Sequence, residues 1–483
     1  MASRAGRSLI WTLLESGGLS VLSLTVLFVV ARLLGPSDLG TAALALGIVQ
    51  TLSILVDTLL HDAIVQRPDL QDDHLHSAFW TCLCMGIVLS GGCWLAAPFM
   101  GRIFDSPELP SLLSVAGLSL TFSGSGSVQI ALLRRHFLFK SVALRTLYGR
   151  LAGAIVALSL AALGYGVWSL IAQHLLQAAM ATIFVWRSTP WRVAPRFSFK
   201  CLSELMSFGV MALGTRIAWL SSARLFTVLV GYFLGVTAVG YINIAQRVVD
   251  TLHDMLAGAA YNLALPIFSR QQSNRALLAQ TYCTAAEFAA LTVQPLFAGV
   301  AVCAPTIVPL FLGDNWLPAI PLVQAIAIGA MFQFVLLFAD AAVTALGRPS
   351  YTLMYAAISL GFVVGSFLLF RPAEPLHAAI IWGLRAVVAG PFLLIVVHRL
   401  LGERATASFL KASIAPLFAT TIMVAAIIAA DTNMLSGAPL LNSLLVQILL
   451  GAAVYVAIMA IIRRDVVQRF LAFVLGGLKG FSP

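Results

Sequence analysis

The sequence predicts an all-α polytopic membrane protein of about 14 transmembrane helices built as two parallel halves, and three observations carry that prediction. Hydrophobic residues make up 60% of the chain and charged residues only 10%, with a mean hydropathy of +0.96, far outside the range of water-soluble domains. Apolar runs of bilayer length recur from one end to the other with mostly short loops between them. Most of the 29 Lys and Arg fall in alternate loops, the asymmetry that orients helices in a membrane.

Taken in order, with about 20 apolar residues needed per crossing, the predicted spans are 10–33, 39–61, 77–98, 110–132, 145–163, 166–186, 206–230, 238–263, 282–304, 318–344, 350–370, 377–398, 411–430 and 440–462. The first run is too long for the apolar region of a signal peptide and continues the later pattern, so it reads as retained. An even number of crossings puts both termini on one side, and the basic residues make that side cytoplasmic. Among the loops assigned to the outside, only Arg102 and Arg371 are basic. The inner loop at 62–76, "DAIVQRPDLQDDHLH", is acidic, but carboxylates contribute little to orientation. The net charge of +10 is therefore a topology signal rather than a nucleic-acid footprint.

Cys82, Cys84, Cys93, Cys201, Cys283 and Cys303 lie in or beside apolar runs without metal or redox spacing, and read as small core residues. The sequence carries no phosphate-binding loop, zinc-protease or nucleophile-elbow motif in a plausible context, so neither an enzyme nor an ATP-driven pump is indicated, and no cofactor or metal is expected.

The halves repeat. "ARLLGPSDLGTAALALGIVQTL" at 31–52 aligns with "GYFLGVTAVGYINIAQRVVDTL" at 231–252, matching Leu34, Gly35 and Gly40 with Leu234, Gly235 and Gly240. A second pair, "APFMGRIFDSPELPSLLSVAGL" and "APTIVPLFLGDNWLPAIPLVQAIAI", runs in each half from a Pro-containing helix end through a short acidic loop into another span. Both pairs keep their orientation, as parallel repeats do. The domains expected are residues 1–187, a basic cytoplasmic linker at 188–205, residues 206–400, and a C-terminal segment at 401–483 with two further helices and a tail.

At these residues the chain resembles the polysaccharide flippases, the Wzx or WzxC-like branch of the MOP (multidrug, oligosaccharidyl-lipid, polysaccharide) exporter superfamily. The resemblance is carried by "ARLLGPSDLG", by 131–173 with its basic-aromatic segment at Arg134 and Arg135 and its turn from Gly164 to Trp168, and by 204–248. It covers nearly the whole chain, but its motifs punctuate topology and do not name a substrate. It implies a MATE-like fold of two six-helix lobes around a central cavity with two C-terminal helices. It also implies alternating-access movement of a polyprenyl-pyrophosphate-linked oligosaccharide across the bacterial inner membrane, for exopolysaccharide, capsule or O-antigen synthesis. The partners expected are that substrate, the bilayer, and a polysaccharide polymerase and chain-length regulator; no nucleic acid is expected, and the chain is expected to act as a monomer.

Such a substrate needs cations for its diphosphate, and Arg suits phosphate through its fork of donors. Seven Arg fall within the predicted spans; Arg145 and Arg150 stand at the cytoplasmic start of the fifth and read with the basic loop before it, leaving Arg32, Arg216, Arg224, Arg247 and Arg385 as the candidates. Arg247, Asp250 and Asp254 form one stripe on the eighth span, extended by Asn243 and Tyr261. A polar stripe in a membrane helix faces the bundle interior or water. Two readings stay open: an anion site shared with Arg216 and Arg224, or a pairing of Arg247 with Asp250, Glu15 or Asp57 that fixes packing only. Asp57, Glu15, Asp340 and Glu287 are candidates for ion coupling, Asp57 foremost because its span is the repeat-equivalent of the eighth. His174 and His253 read as bundle residues rather than proton relays. Arg134, Arg135 and Lys140 are candidates for head-group entry, or else topology determinants. Trp11, Trp168, Trp186, Trp191 and Trp316 read as interface anchors.

Two rival functions fit less well. A drug or cation antiporter of the same superfamily favours a carboxylate-dominated cavity and twelve helices. A membrane polysaccharide polymerase or ligase displays a large outer loop with catalytic residues, which this sequence lacks.

Overall fold

The structure, a computed structural model, describes residues 24–67, 69–433 and 438–476, with side chains described except at 139, 207–222, 259, 262, 403–412, 433 and 471–476. Among these residues every regular element is helical. Hydrocarbon offers no water to a backbone amide, so each span satisfies its own N–H and C=O groups as a helix. The helices are α1 (Leu24–Leu33), α2 (Pro36–Thr58), α3 (His61–Gln66), α4 (Asp72–Ile103), α5 (Leu109–Arg135), α6 (Phe139–Ala162), α7 (Trp168–Ser188) and α8 (Phe199–Leu234). They continue with α9 (Val236–Arg270), α10 (Arg275–Phe311), a 3-10 turn (Asp314–Ala319), α11 (Ile320–Ala345), α12 (Pro349–Phe370) and α13 (Pro375–Leu401). α14 (Glu403–Asn433), α15 (Leu440–Ile462) and α16 (Arg464–Gly476) follow.

Eleven of the described helices are long and apolar enough to cross a bilayer, so the structure does not establish the fourteen spans expected from sequence. The described apolar pieces Leu24–Leu33 and Ala223–Leu234 are too short on their own, and α9 carries too many polar side chains to pass as apolar. Several helices overshoot the predicted spans. α10 has 37 residues, about 55 Å at 1.5 Å per residue, against a hydrocarbon core of about 30 Å. Its ends must therefore stand outside the hydrocarbon, where hydropathy no longer marks them. α6 begins at Phe139, which brings Lys140 and the rest of 139–144 into the helix rather than the loop before it.

The chain divides into two compact units, one of Val21–Asn243 with Arg371–Ala373, the other containing Ile244–Phe370 and Glu374–Pro483. The division falls inside α9, so the linker expected at 188–205 belongs to the first unit together with α8. Each unit repeats one packing order. In the first, α4 packs on α5, α5 on α7 and α6 on α7; in the second, α10 packs on α11, α11 on α13 and α12 on α13.

The glycines of the sequence repeat differ in what requires them. Gly35 has an ordinary extended backbone, φ −75°, whereas Gly235 ends α8 at φ +81°, a region that favours glycine. Gly40 and Gly240 meet reciprocally within the first unit. A Cβ on Gly40 would lie 1.8 Å from the Val236 carbonyl oxygen, and a Cβ on Gly240 would lie 1.9 Å from that of Pro36. The repeated motif thus places the starts of α2 and α9 at backbone contact, which only glycine at both positions allows.

The linker is laid onto the start of α4 by specific bonds. Trp80 Nε1 donates to the Ala194 carbonyl (3.1 Å), the Ala194 N–H donates to His76 Nδ1 (3.2 Å), and the Ser198 N–H donates to Ser77 Oγ (2.8 Å). The His76 ring stacks on Trp191 at 5.2 Å, and Trp186 donates from Nε1 to the Ser125 carbonyl (2.9 Å). Trp186 and Trp191 pack against the core of this unit, and Trp316 in the second unit is fully buried. These three correct the expectation of interface anchors: hydropathy does not distinguish a ring at a span end that faces headgroups from one that faces a neighbouring helix.

Glu204, just before the seventh predicted span begins, closes the dock. It accepts from Arg67 and from His74 Nε2 (3.1 Å), while His74 Nδ1 accepts from the Gln71 N–H (3.2 Å), so the ring carries its proton on Nε2. The hydrogen bond from His74, with that of Arg67, holds the Glu204 carboxyl below the usual range. A carboxyl lowered in the folded chain stabilises fully above its ordinary value and loses that contribution as pH falls through the lowered one.

Two outcomes are expected. Gly240→Ala lowers the melting temperature in detergent, an overpacking cost of about 1–3 kcal/mol. Gly47→Ala, where an added Cβ meets nothing within 4 Å, holds or raises it; equal effects would dissolve the contact argument. In hydrogen exchange, residues 189–198 lose protection as pH drops below the ordinary glutamate value of 4.5, and Glu204→Gln loses it already at neutral pH. Unchanged protection in Glu204→Gln would mean the carboxylate does not hold the linker.

Candidate functional site

The interior of the second unit contains a polar cluster drawn from four helices. Arg385 on α13 donates through Nη2 to Gln333 Oε1 on α11 (2.6 Å) and through Nη1 to the Trp382 carbonyl one turn back. Its guanidinium lies 3.5 Å from the centroid of the Trp382 ring, a cation–π contact. Asp250 on α9 and Tyr355 on α12 are its electrostatic neighbours. An arginine in hydrocarbon needs a counter-charge, acceptors or an aromatic face, and here it has all three. The structure brings together two of the predicted site residues, Arg385 and Asp250. Gln333, Trp382 and Tyr355 complete the cluster and were missed, because uncharged side chains in apolar runs give a weak signal; Gln333, a lone amide in "AMFQFVLL", is the one that sequence could have flagged.

The stripe on α9 does not behave as one surface. Asp250 is half-buried toward Arg385, whereas Arg247 and Asp254 are exposed. His253 Nδ1 approaches Asp254 at 3.5 Å, its Nε2 is buried without a hydrogen-bond partner, and its ring packs on Phe334 at 5.5 Å. Arg32 is exposed on α1, and Arg224 is half-buried on α8 in the first unit. The side chain of Arg216 and all of Glu15 and Trp11 lie outside the described residues.

The candidate coupling carboxylates separate sharply. Glu287 on α10 accepts from Arg463 (2.7 Å) and Arg469 (3.2 Å), so it clamps α16 to the bundle. Asp57 on α2 faces Arg145 of α6 electrostatically. Asp340 on α11 lies beside Thr352 of α12, with a buried Oδ1 that has no hydrogen-bond partner. His174 meets Ser119 Oγ at 3.2 Å.

The basic segment proposed for head-group entry is partly engaged in structure. Arg134 Nη1 donates to His61 Nε2 (3.3 Å), and Arg135 donates to the carbonyls of Ile64 (2.9 Å) and Arg67. Arg135 thereby satisfies the open carbonyl end of α3, a placement that the helix dipole also favours. Lys140 is exposed.

Comparison with known proteins places this architecture. Residues 29–321 match the family described as polysaccharide biosynthesis protein. The chain is 27% identical over 332 residues to the succinoglycan biosynthesis transport protein ExoT of Rhizobium meliloti (strain 1021), covering 68% of this chain and 66% of that protein. It is 23% identical to the teichuronic acid biosynthesis protein TuaB of Bacillus subtilis (strain 168), with 76% and 74% covered. It is 22% identical to the lipopolysaccharide biosynthesis protein WzxC of Escherichia coli (strain K12), with 74% and 71% covered. Among solved structures, the fold matches lipid II flippase MurJ in an inward closed conformation with a TM-score of 0.79 at 16% identity, covering 94% of this chain and 99% of that one. It matches an inward-facing multidrug resistance MATE transporter of the MOP superfamily with a TM-score of 0.60 at 17% identity, covering 82% and 96%. The chain belongs to the polysaccharide biosynthesis protein family, as a multi-pass membrane protein with the fold of the MOP-superfamily transporters.

Proposed function

We propose that the chain flips a polyprenyl-pyrophosphate-linked oligosaccharide repeat unit from the cytoplasmic to the periplasmic leaflet of the bacterial inner membrane by alternating access. In this reading it serves exopolysaccharide, capsule or O-antigen synthesis, acts as a monomer with both termini in the cytoplasm, and hands its cargo to a polymerase and chain-length regulator. The observation that carries the reading is the Arg385 cluster. A guanidinium fork suits a diphosphate, and the Trp382 and Tyr355 rings with the Gln333 amide suit sugar faces and hydroxyls. Without substrate, Asp250 neutralises Arg385; a diphosphate carries more charge than one carboxylate and displaces it, leaving Asp250 to Arg247 three residues earlier on α9. The relatives are named for three different polymers, which supports recognition of the shared lipid-diphosphate portion over the sugar.

Asp340 supports a coupled mechanism. A carboxylate held inside a membrane helix with an unsatisfied oxygen is poised to take a proton or cation, and the same feature is what an antiporter of drugs or cations would use. Asp340→Asn separates the two: loss of flipping with no effect on drug resistance supports coupling of lipid-linked cargo.

In a complementation assay, Arg385→Ala, Arg247→Ala and Arg224→Ala are expected to cut surface polysaccharide by about tenfold or more, while immunoblots show normal insertion. Wild-type polysaccharide in all three would remove these arginines from the site. In a double-mutant cycle of Asp250→Asn and Arg385→Gln, followed by melting in detergent, a coupling of about 0.5–3 kcal/mol is expected. Additive effects would sink the neutralisation step.

A further inference from the structure

A cavity of about 250 Å³ opens in the second unit between α9, α10, α11 and α16, apart from the Arg385 cluster. Phe268, Phe288, Phe334, Phe338 and Phe470 line it together with the half-buried Ala285. Its two hydroxyl side chains offer a ligand nothing: Thr281 donates to the Leu277 carbonyl (2.9 Å) and Thr292 to that of Phe288 (3.0 Å). A wall without a free polar group takes hydrocarbon.

The chemistry at one end of the cavity decides what kind of hydrocarbon. Phe268 and Ile267 of the lining are followed by Arg270 at the end of α9, and Phe470 is preceded by Arg469 on α16. Arg275, which donates to the Leu400 carbonyl (3.3 Å), opens α10 at the same end, Arg463 precedes α16 and Arg464 begins it. The acids among these elements there, Glu287 and Asp465, are already engaged by Arg463 and Arg469. Arg270, Arg275 and Arg464 are exposed and form no ion pair with a described carboxylate, so they add positive charge at this end. α16 itself is amphipathic, with Val466, Val467 and Phe470 in the apolar cluster that holds Leu291 and Phe288 and with Arg464, Asp465 and Arg469 exposed, the form of a helix lying in the membrane interface.

We infer that this groove holds one acyl chain of an anionic phospholipid, its headgroup against Arg270 and the exposed arginines around it. Basic residues beside a hydrocarbon slot attract anionic lipid over zwitterionic lipid. The position gives the lipid a consequence. Phe334 of its wall packs on His253, and the preceding residue, Gln333, holds Arg385, so an occupied groove buttresses the stretch of α11 that carries the polar cluster. The inference takes only the membrane setting from the proposed function and not its substrate.

Native mass spectrometry of the full chain in mild detergent tests it, with phosphatidylglycerol, phosphatidylethanolamine and polyprenyl phosphate as probes. One phosphatidylglycerol is expected to bind more tightly than phosphatidylethanolamine, and polyprenyl phosphate in equal amount is expected not to displace it. Ala285→Phe, which puts a ring into the cavity from its lining, and Arg270→Gln at the head-group end each weaken binding by about tenfold, whereas Arg371→Gln in the other unit leaves it unchanged. Ala260→Leu, in the same lining, replaces Ala285→Phe if that variant does not fold. Wild-type affinity in the filled variant, equal binding of phosphatidylethanolamine, or displacement by polyprenyl phosphate would overturn the proposal, the last by giving the groove to the substrate's own chain.

Discussion

A polar group inside hydrocarbon has no water to bond to, and the arrangement of this protein follows from how each side chain meets that constraint. Short hydroxyl side chains solve it locally. Thr41, Thr51, Thr227 and Thr281 each donate to the carbonyl four residues earlier, so they sit in membrane helices at little cost and tie nothing together. Longer polar groups that do not fold back so completely reach across to other helices. Gln447 of α15 donates to Thr306 of α10 and Asp431 of α14, Arg385 of α13 to Gln333 of α11, and Arg463 to Glu287 of α10. The cross-helix ties of the second unit are therefore made where the sequence placed amides and charges in apolar runs.

That division explains what could be read in advance. The centres of the spans were legible because hydropathy reports the hydrocarbon, and the ends were not because helices such as α10 run on into the interface, where a residue's polarity carries no information about helix or loop. The repeat was legible through Gly40 and Gly240, whose shared role is the close approach of the two repeated helix starts, but Gly35 matched Gly235 in sequence without sharing its backbone conformation. The polar stripe on α9 was legible as a period. Its division was not, since what turns Asp250 inward is Arg385 on a helix far along the chain, and pattern within one helix says nothing about which of its polar residues meets a partner.

The arginines show the same limit from the other side. Counting them orients the chain, because orientation depends on number and side alone. It does not reveal the second role many of them hold: Arg135 satisfies the end of α3, Arg67 holds Glu204 against the linker, and Arg463 and Arg469 share Glu287. A residue that orients a helix during insertion remains at the membrane surface afterwards, where exposed helix ends and carboxylates need a donor.

Glu287 and Asp340 began as equal candidates, each a carboxylate inside a predicted span, and the difference between them lies in α16. Two arginines arrive on and beside that helix and occupy Glu287, whereas among the described residues no arginine pairs with Asp340, whose Oδ1 has no hydrogen-bond partner. The same short helix contributes Phe470 to the apolar groove, next to the Arg469 that holds Glu287. Its capture therefore does two things at once: it ties one membrane carboxylate into ion pairs, and it closes one wall of an apolar cavity beside exposed arginines. α14, α15 and α16 thus shape the outer side of this unit, while its buried polar cluster is concentrated on α9, α11, α12 and α13.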